Sequence, residues 1–254
     1  FMYPSLTASF IFSELEGIRN IAWLDFAKVR LGWAQVGNDT DPYQLQRVYE
    51  AGQAFGGLPN YKLPTQLNNQ FLKPEITSSW ETGISVQAFK NRLGLDVTYY
   101  DNVSRNQIIN IPVSSSFGYD SKVINAGKIN NKGIEVTLSG KPISSRGFEW
   151  NSTLNWSKNT NKVIELATGV NTFQLTNSLV TVVAREGESY GQILGNDFIY
   201  AADGQKVIKA DGTYDRAQQL TSLGSVLPKY MFGFQNSFSY KNFNLGFLID
   251  GRVG

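Results

Sequence analysis

The chain has 254 residues with 23 basic and 21 acidic side chains, a net charge of only +2 that gives no electrostatic basis for nucleic-acid binding. It contains no cysteine and no histidine, which excludes disulfides, Cys nucleophiles, Ser-His-Asp triads and metal sites that use thiolate or imidazole ligands. Charged residues make up 17% and aromatic residues 13%. This combination is typical of a protein that presents aromatic rings to something other than water.

The two termini of the chain look interrupted. It begins Phe1-Met2-Tyr3-Pro4, with no basic or apolar region of a signal peptide, and it stops at Gly254 directly after a strand-like pattern. We interpret the sequence as an internal fragment of a longer protein. No run of about 18 apolar residues occurs, which excludes a transmembrane helix, whereas a transmembrane β-strand needs only about 9–11 residues.

Alternation of apolar and polar residues with a period of two predicts strands rather than helices. In these stretches one alternating set carries no charge and is apolar or aromatic except at Thr82, Ser152 and Asn236, while the interleaved set is polar except at Ile11, Met231 and Leu248. The predicted strands cover, in chain order, residues 5–12, 26–36, 79–89, 93–99, 134–138, 148–156, 230–240 and 243–249.

Each predicted strand therefore has one apolar and one polar face. We predict that the apolar face contacts lipid and that the polar face lines a water-filled lumen. The residues predicted to face lipid include Trp80, Ile84, Val86, Leu95, Val97, Val136 and Phe234. The residues predicted to face the lumen include Arg30, Glu81, Gln87, Asp96, Glu135, Glu149 and Asn151.

The lengths of the connections alternate. Short connections at 90–92, 144–147 and 241–242 predict hairpin turns, and they alternate with the long segments 38–76, 101–122 and 158–229. The segment from Ser13 to Asp25 is an exception, a longer turn at the short-turn end. In an up-and-down sheet this places the short turns at one end and the long loops at the other, as in transmembrane β-barrels. A soluble β-sandwich also alternates, but the loop asymmetry, the charge-free face and the Trp and Tyr residues near strand ends favour the membrane.

The long loops carry few motifs with chemical meaning. Asp203-Gly204 and Asp211-Gly212 predict a small hairpin with type I′ turns, a better match than a calcium loop, which needs more carboxylates. The sequence predicts no catalytic residue, no metal site and no cofactor.

Several motifs follow one another in an order that carries a family resemblance. They are Leu72-Lys73-Pro74-Glu75, Ser79-Trp80-Glu81-Thr82-Gly83, Asn91-Arg92-Leu93-Gly94-Leu95-Asp96, Asn125-Ala126-Gly127 and Asn131-Lys132-Gly133-Ile134-Glu135. On these motifs the chain resembles the SusC/RagA family of TonB-dependent outer-membrane transporters.

The resemblance implies an all-β, antiparallel, up-and-down transmembrane barrel segment, with eight strands out of about 22. Residues 1–254 would form part of the barrel domain, and the plug domain, TonB box and signal peptide would lie outside this fragment. It implies a protein of the outer membrane of a Gram-negative bacterium that is not an enzyme.

It also implies partners. These are outer-membrane lipid, a SusD-type surface lipoprotein, the TonB complex acting through the absent N-terminal region, and an oligosaccharide or peptide solute that the polar face and the plug would contact. The alternatives are a complete small outer-membrane barrel that serves as an anchor or adhesin and, more distantly, a soluble β-rich enzyme or binding module.

Overall fold

The computed structural model describes residues 2–42, 45–114, 116, 118–177 and 180–254. None of these residues form a helix with the length and apolar character needed to cross a membrane. A 3₁₀ turn at Phe12–Glu14 follows the first strand. The strands are β1 (Ser5–Ile11), β2 (Leu24–Asn38), β3 (Glu50–Ala51), β4 (Tyr61–Lys62), β5 (Gln66–Leu67), β6 (Glu75–Ala88), β7 (Leu93–Arg105), β8 (Ile108–Pro112), β9 (Ser121–Asn125), β10 (Lys128–Ser145), β11 (Phe148–Glu165), β12 (Thr172–Asn177), β13 (Thr181–Arg185), β14 (Gln192–Gly195), β15 (Thr221–Ser225), β16 (Tyr230–Tyr240) and β17 (Phe243–Val253).

The long strands form one eight-stranded antiparallel sheet in the order β1-β2-β6-β7-β10-β11-β16-β17. Each long strand pairs with the next long strand along the chain, so the sheet is an up-and-down meander. This confirms the predicted fold class and all eight predicted strands. Strands β1 and β17 are the two edges of the sheet within the described residues.

The strand register places the apolar residues together on one face of this sheet. Val97 lies opposite Ile84 on one side and opposite Val136 on the other. This face is not packed against a second layer in the part of the chain that the structure describes, because Trp80 is 63% exposed and Phe243 is 77% exposed. A soluble sandwich would bury the same side chains.

The most buried apolar cluster lies outside the predicted strand segments. It consists of Val163, Leu166 and Ala184, against which Phe173 and Leu175 pack. This cluster joins the far end of β11 to the small sheet β12-β13-β14-β15. In the part of the chain that the structure describes, a local core therefore stabilises the long loops, and the apolar face of the main sheet stays exposed.

The short connections confirm the predicted hairpins. Residues 89–92 join β6 to β7, and Phe89, Lys90 and Asn91 all have φ close to +58°. Arg146 and Gly147 join β10 to β11, and Gly147 supplies a φ of +90° that a residue without a Cβ adopts readily. Lys241 and Asn242 join β16 to β17.

Several strands extend further into the predicted long loops than expected. The alternation predicts loops at 101–105 and 158–165 and no strand at 128–133, whereas these residues form the ends of β7, β11 and β10, respectively. In these extensions both faces carry polar side chains, so the apolar alternation stops although the hydrogen-bonded ladder continues. The period-two pattern therefore marks only the part of each strand that has an apolar face.

The hairpin predicted around the two Asp-Gly pairs is present, but its turn type was wrong. Ala201 N–H donates to Gln205 O, and Lys209 N–H donates to Thr213 O. A type I′ turn needs positive φ at both central residues, whereas only Gly204 and Gly212 have positive φ here. Each turn is a three-residue loop that ends in a left-handed glycine.

Carboxylates of the same segment cap its turns. Asp203 Oδ1 accepts a hydrogen bond from Gln205 N–H, and Asp211 Oδ1 accepts hydrogen bonds from the backbone N–H and the hydroxyl of Thr213. The two bonds from Thr213 lower the pKa of the Asp211 carboxyl below its usual value. Local capping therefore accounts for these acidic residues.

Candidate functional site

The polar face of the sheet is organised around Arg30. This residue lies on β2, and its guanidinium spans β6 to reach β7. Its Nη1 donates to Asp96 Oδ2 at 2.9 Å and its Nη2 donates to Asp96 Oδ1 at 2.6 Å, a bidentate pair. Ser85 Oγ donates to the same carboxylate at 2.6 Å and accepts from Arg30 Nη1 at 2.7 Å. One ion pair therefore ties three adjacent strands together.

A glycine makes room for this guanidinium. Gly83 lies directly opposite Arg30 on β6, and a Cβ at Gly83 would meet Arg30 Cζ at 2.6 Å. The carboxylate of Glu81 lies 3.9 Å from Arg30 Nε on the other side. Three of the residues predicted to face the lumen, Arg30, Glu81 and Asp96, thus form a single charged network.

A polar cleft of about 600 Å³ continues this network toward the long-loop end of the sheet. Glu81 and Glu135 both line the cleft. The phenol of Tyr100 lies over Gly133, and its hydroxyl donates to Asn159 Oδ1 at 3.3 Å. The cleft exposes carboxylates, amides and hydroxyls, which bind polar solutes through hydrogen bonds.

Two further predicted residues form a separate pair near the short turns. Glu149 Oε1 accepts a hydrogen bond from Asn151 Nδ2 at 2.8 Å, and Lys141 Nζ lies 3.5 Å from the same oxygen. Gln87 shares this face of the sheet but joins neither cluster. The register therefore places all seven predicted polar residues on one face; six of them fall into two clusters, and Gln87 lies outside both.

Sequence reasoning missed the uncharged members of the cleft. They share the face of Glu81 and Glu135 and come from four strands: Ser79, Thr98, Tyr100, Asn102, Asn131 and Asn159. The alternation does indicate that Thr98 lies on the polar face, because Thr98 stands between apolar Val97 and Tyr99. Asn131 and Asn159 lie in strand extensions without apolar alternation, so the sequence pattern does not assign them to either face.

Two of the motifs that carried the family resemblance meet at the long-loop end of the sheet. Asn125 Oδ1 accepts from Lys73 N–H at 2.6 Å, and Asn125 Nδ2 donates to Lys73 O at 2.6 Å and to Asn106 O at 2.9 Å. Nearby, Glu75 Oε1 accepts from Ile108 N–H at 2.8 Å, and Asn38 Nδ2 donates to Glu75 Oε2 at 3.2 Å. We call this arrangement the Asn125–Glu75 clamp; it fixes the loops where they leave the sheet.

Metal ligation has no basis among the residues that the structure describes. They contain no group of three or more Asp and Glu side chains arranged to hold an ion. The chemistry that the polar face offers is therefore hydrogen bonding and ion pairing.

Comparison with known proteins shows which family shares this sequence and fold. The family model for TonB dependent receptor-like β-barrels matches residues 3–253. The chain is 27% identical to TonB-dependent receptor P26 of Formosa agariphila over 99% of this chain and 28% of that protein. It is 25% identical to TonB-dependent receptor SusC of Bacteroides thetaiotaomicron over 66% of this chain and 17% of that protein.

A solved structure of the RagAB peptide transporter has the same fold. It superposes with a TM-score of 0.83 at 20% identity, covering 98% of this chain and 29% of that one. The chain thus spans less than a third of the length of each of these three relatives. These relatives confirm the resemblance inferred from the motifs, and the chain belongs to the TonB dependent receptor-like β-barrel family.

Proposed function

We propose that this chain is part of the barrel wall of a TonB-dependent transporter that takes up oligosaccharides or peptides across the outer membrane. The observation that carries the proposal is the two-faced sheet: it has a broad apolar face that the described residues leave exposed and a polar face with an ordered charge network. In this arrangement the apolar face contacts lipid and the polar face lines the solute passage. We propose no enzymatic role, because the family consists of receptors and transporters.

The open edges of the sheet support a larger barrel over a complete eight-stranded one. A closed barrel of eight strands would pair β1 with β17, whereas these strands are the two ends of the sheet order in the described residues. Unpaired backbone groups are not tolerated in hydrocarbon, so further strands of the same protein are needed to close the ring. We propose that residues 1–254 belong to a barrel of about 22 strands that encloses a plug domain.

The partners follow from the relatives. One solved relative is named a peptide transporter, and another relative is SusC. We propose that a SusD-type lipoprotein covers the long-loop end and that the TonB complex acts through a part of the protein outside residues 1–254. The polar cleft around Glu81, Tyr100 and Glu135 is the proposed contact surface for plug or solute.

Uptake by the full-length protein tests this proposal. A strain that lacks the gene should lose growth on either an oligosaccharide mixture or a peptide mixture as carbon source, and the full-length gene should restore it only when TonB is present. A surface lipoprotein should copurify with the tagged protein from native outer membranes. Unchanged growth on both mixtures, with no copurifying lipoprotein, would contradict the proposal.

A further inference from the structure

On the apolar face of β11, apolar side chains are followed by lysines toward the end of the strand. Leu154 and Trp156 share the apolar face, and the next residues on the same face are Lys158, Thr160 and Lys162. Trp156 packs 6.4 Å from Tyr230, centroid to centroid. Aromatic residues mark the interface in membrane barrels, so the lysines follow directly above that boundary on the long-loop side.

A third lysine comes from the neighbouring strand. Lys132 of β10 lies opposite Thr160, which places it diagonally between Lys158 and Lys162. Diagonal neighbours on adjacent antiparallel strands are roughly 7–8 Å apart. All three side chains are exposed. We call Lys132, Lys158 and Lys162 the basic patch.

Within the described residues, one of the three lysines of the basic patch has an acidic partner and the other two have none. Lys132 Nζ lies 3.2 Å from Asp101 Oδ2, and the same carboxylate accepts a hydrogen bond from Asn130. Within the described residues, neither Lys158 nor Lys162 has a carboxylate at ion-pair distance. Neighbouring like charges on a sheet repel one another, so an anion placed between these lysines would stabilise the arrangement.

We propose that the basic patch binds the phosphate groups of a lipid head group in the outer leaflet of the membrane. The proposal rests on the proposed function, since it requires the apolar face to contact lipid. We favour a lipid over a soluble anion because the basic patch continues the apolar face of β10 and β11 just beyond the aromatic residues. A lipid whose acyl chains lie along Val136 and Leu154 would have its head group at this height.

Binding of lipid A to the full-length transporter in detergent tests the proposal. The probes are lipid A with both phosphates, lipid A with its phosphates removed, and inorganic phosphate alone. The wild-type protein should bind the phosphorylated lipid at least about tenfold more tightly than the dephosphorylated one, because each lysine near an anionic head group adds to the attraction. Native mass spectrometry reports the occupancy of each lipid.

The variant Lys132→Gln/Lys158→Gln/Lys162→Gln should lose this preference. The matched control Lys90→Gln/Arg146→Gln/Lys241→Gln removes the same charge from the short turns at the other end and should keep it. The single charge reversal Lys158→Glu should weaken the preference in the same direction, so the test does not depend on the folding of the triple variant.

The outcomes separate this proposal from the proposed function. Equal binding of both forms of lipid A by a wild-type protein that stays in the membrane fraction after alkaline washing would overturn the lipid site and leave the transporter intact. Inorganic phosphate that displaces the phosphorylated lipid at equal concentration would overturn it in favour of a soluble anion site. Release of the wild-type protein by alkaline washing would contradict the proposed function itself.

Discussion

Single residues on the polar face show how hydrogen bonds and close contacts hold neighbouring strands of the sheet together. Arg30 is held by a bidentate pair to Asp96, and Gly83 leaves the space that the guanidinium occupies. A similar contact occurs where the Tyr100 ring lies over Gly133. In both cases a long side chain on one strand covers a glycine on the next, which fixes the strands against sliding.

We predict that Asp96→Ala destabilises the barrel by about 1–3 kcal/mol, because it leaves the Arg30 guanidinium without its charged partner. The temperature at which the full-length protein loses its folded, fast-migrating gel band measures the effect. Gln87→Ala on the same face, outside both clusters, should change stability by less than about 0.5 kcal/mol. Equal losses for the two variants would show that the network adds nothing to stability.

We predict that Gly133→Ala costs about 1–3 kcal/mol, because the new Cβ would overlap the ring of Tyr100. Gly32→Ala is the matched control, since the nearest atoms to a Cβ there lie 3.9 Å away. Removing the ring with Tyr100→Ala in the Gly133→Ala background should cost less than the same change in the wild type. Additive effects of the two substitutions would contradict the close contact.

At the scale of elements, the ends of the long strands and the loops that follow them are held by hydrogen bonds. The Asn125–Glu75 clamp joins the start of β6 to the connections around β8 and β9. Two motifs far apart in the sequence, residues 72–75 and 125–127, supply its main side chains. This contact gives a structural role to motif residues that, in the sequence alone, indicate only the family.

We predict that Asn125→Asp loosens these loops, because a carboxylate would replace the amide that donates to Lys73 O and Asn106 O. Hydrogen exchange of the loop segments in the full-length protein should become faster. Asn69→Asp is the control: Asn69 Oδ1 only accepts a hydrogen bond, from Phe71 N–H at 3.0 Å, and a carboxylate can do the same. If both variants exchange alike, the clamp does not order the loops.

The sequence was informative for elements wherever one face is apolar. The alternating residues at Leu93–Tyr99 and Phe243–Ile249 predicted β7 and β17, because alternation arises where one face of a strand is apolar and the other is polar. The far part of β10, from Lys128 to Gly133, was not predicted because it holds polar side chains on both faces and a single apolar one, Ile129. The alternation predicted that the residues of the charged network share one face of the sheet. It did not predict which of them touch, because contacts between strands depend on the strand register.

For the whole protein, the proposed function requires that the face of the sheet that carries Val136 contacts hydrocarbon. Val136 and Thr137 are neighbours on β10 and point to opposite faces. We predict that Val136→Arg costs about 2–4 kcal/mol and lowers the amount of full-length protein in the outer membrane. Thr137→Arg should leave that amount unchanged, and the reverse result would exchange the roles of the two faces.

The most direct test of that claim is a spin-label scan along β10 from Gly133 to Ser139 in a cysteine-free, full-length protein reconstituted in lipid. Accessibility to oxygen, which concentrates in hydrocarbon, should peak at 134, 136 and 138, and should fall at 135, 137 and 139. A water-soluble nickel reagent should give no such peaks at 134, 136 and 138. Oxygen accessibility that does not alternate, or that peaks at 135, 137 and 139, would contradict the account.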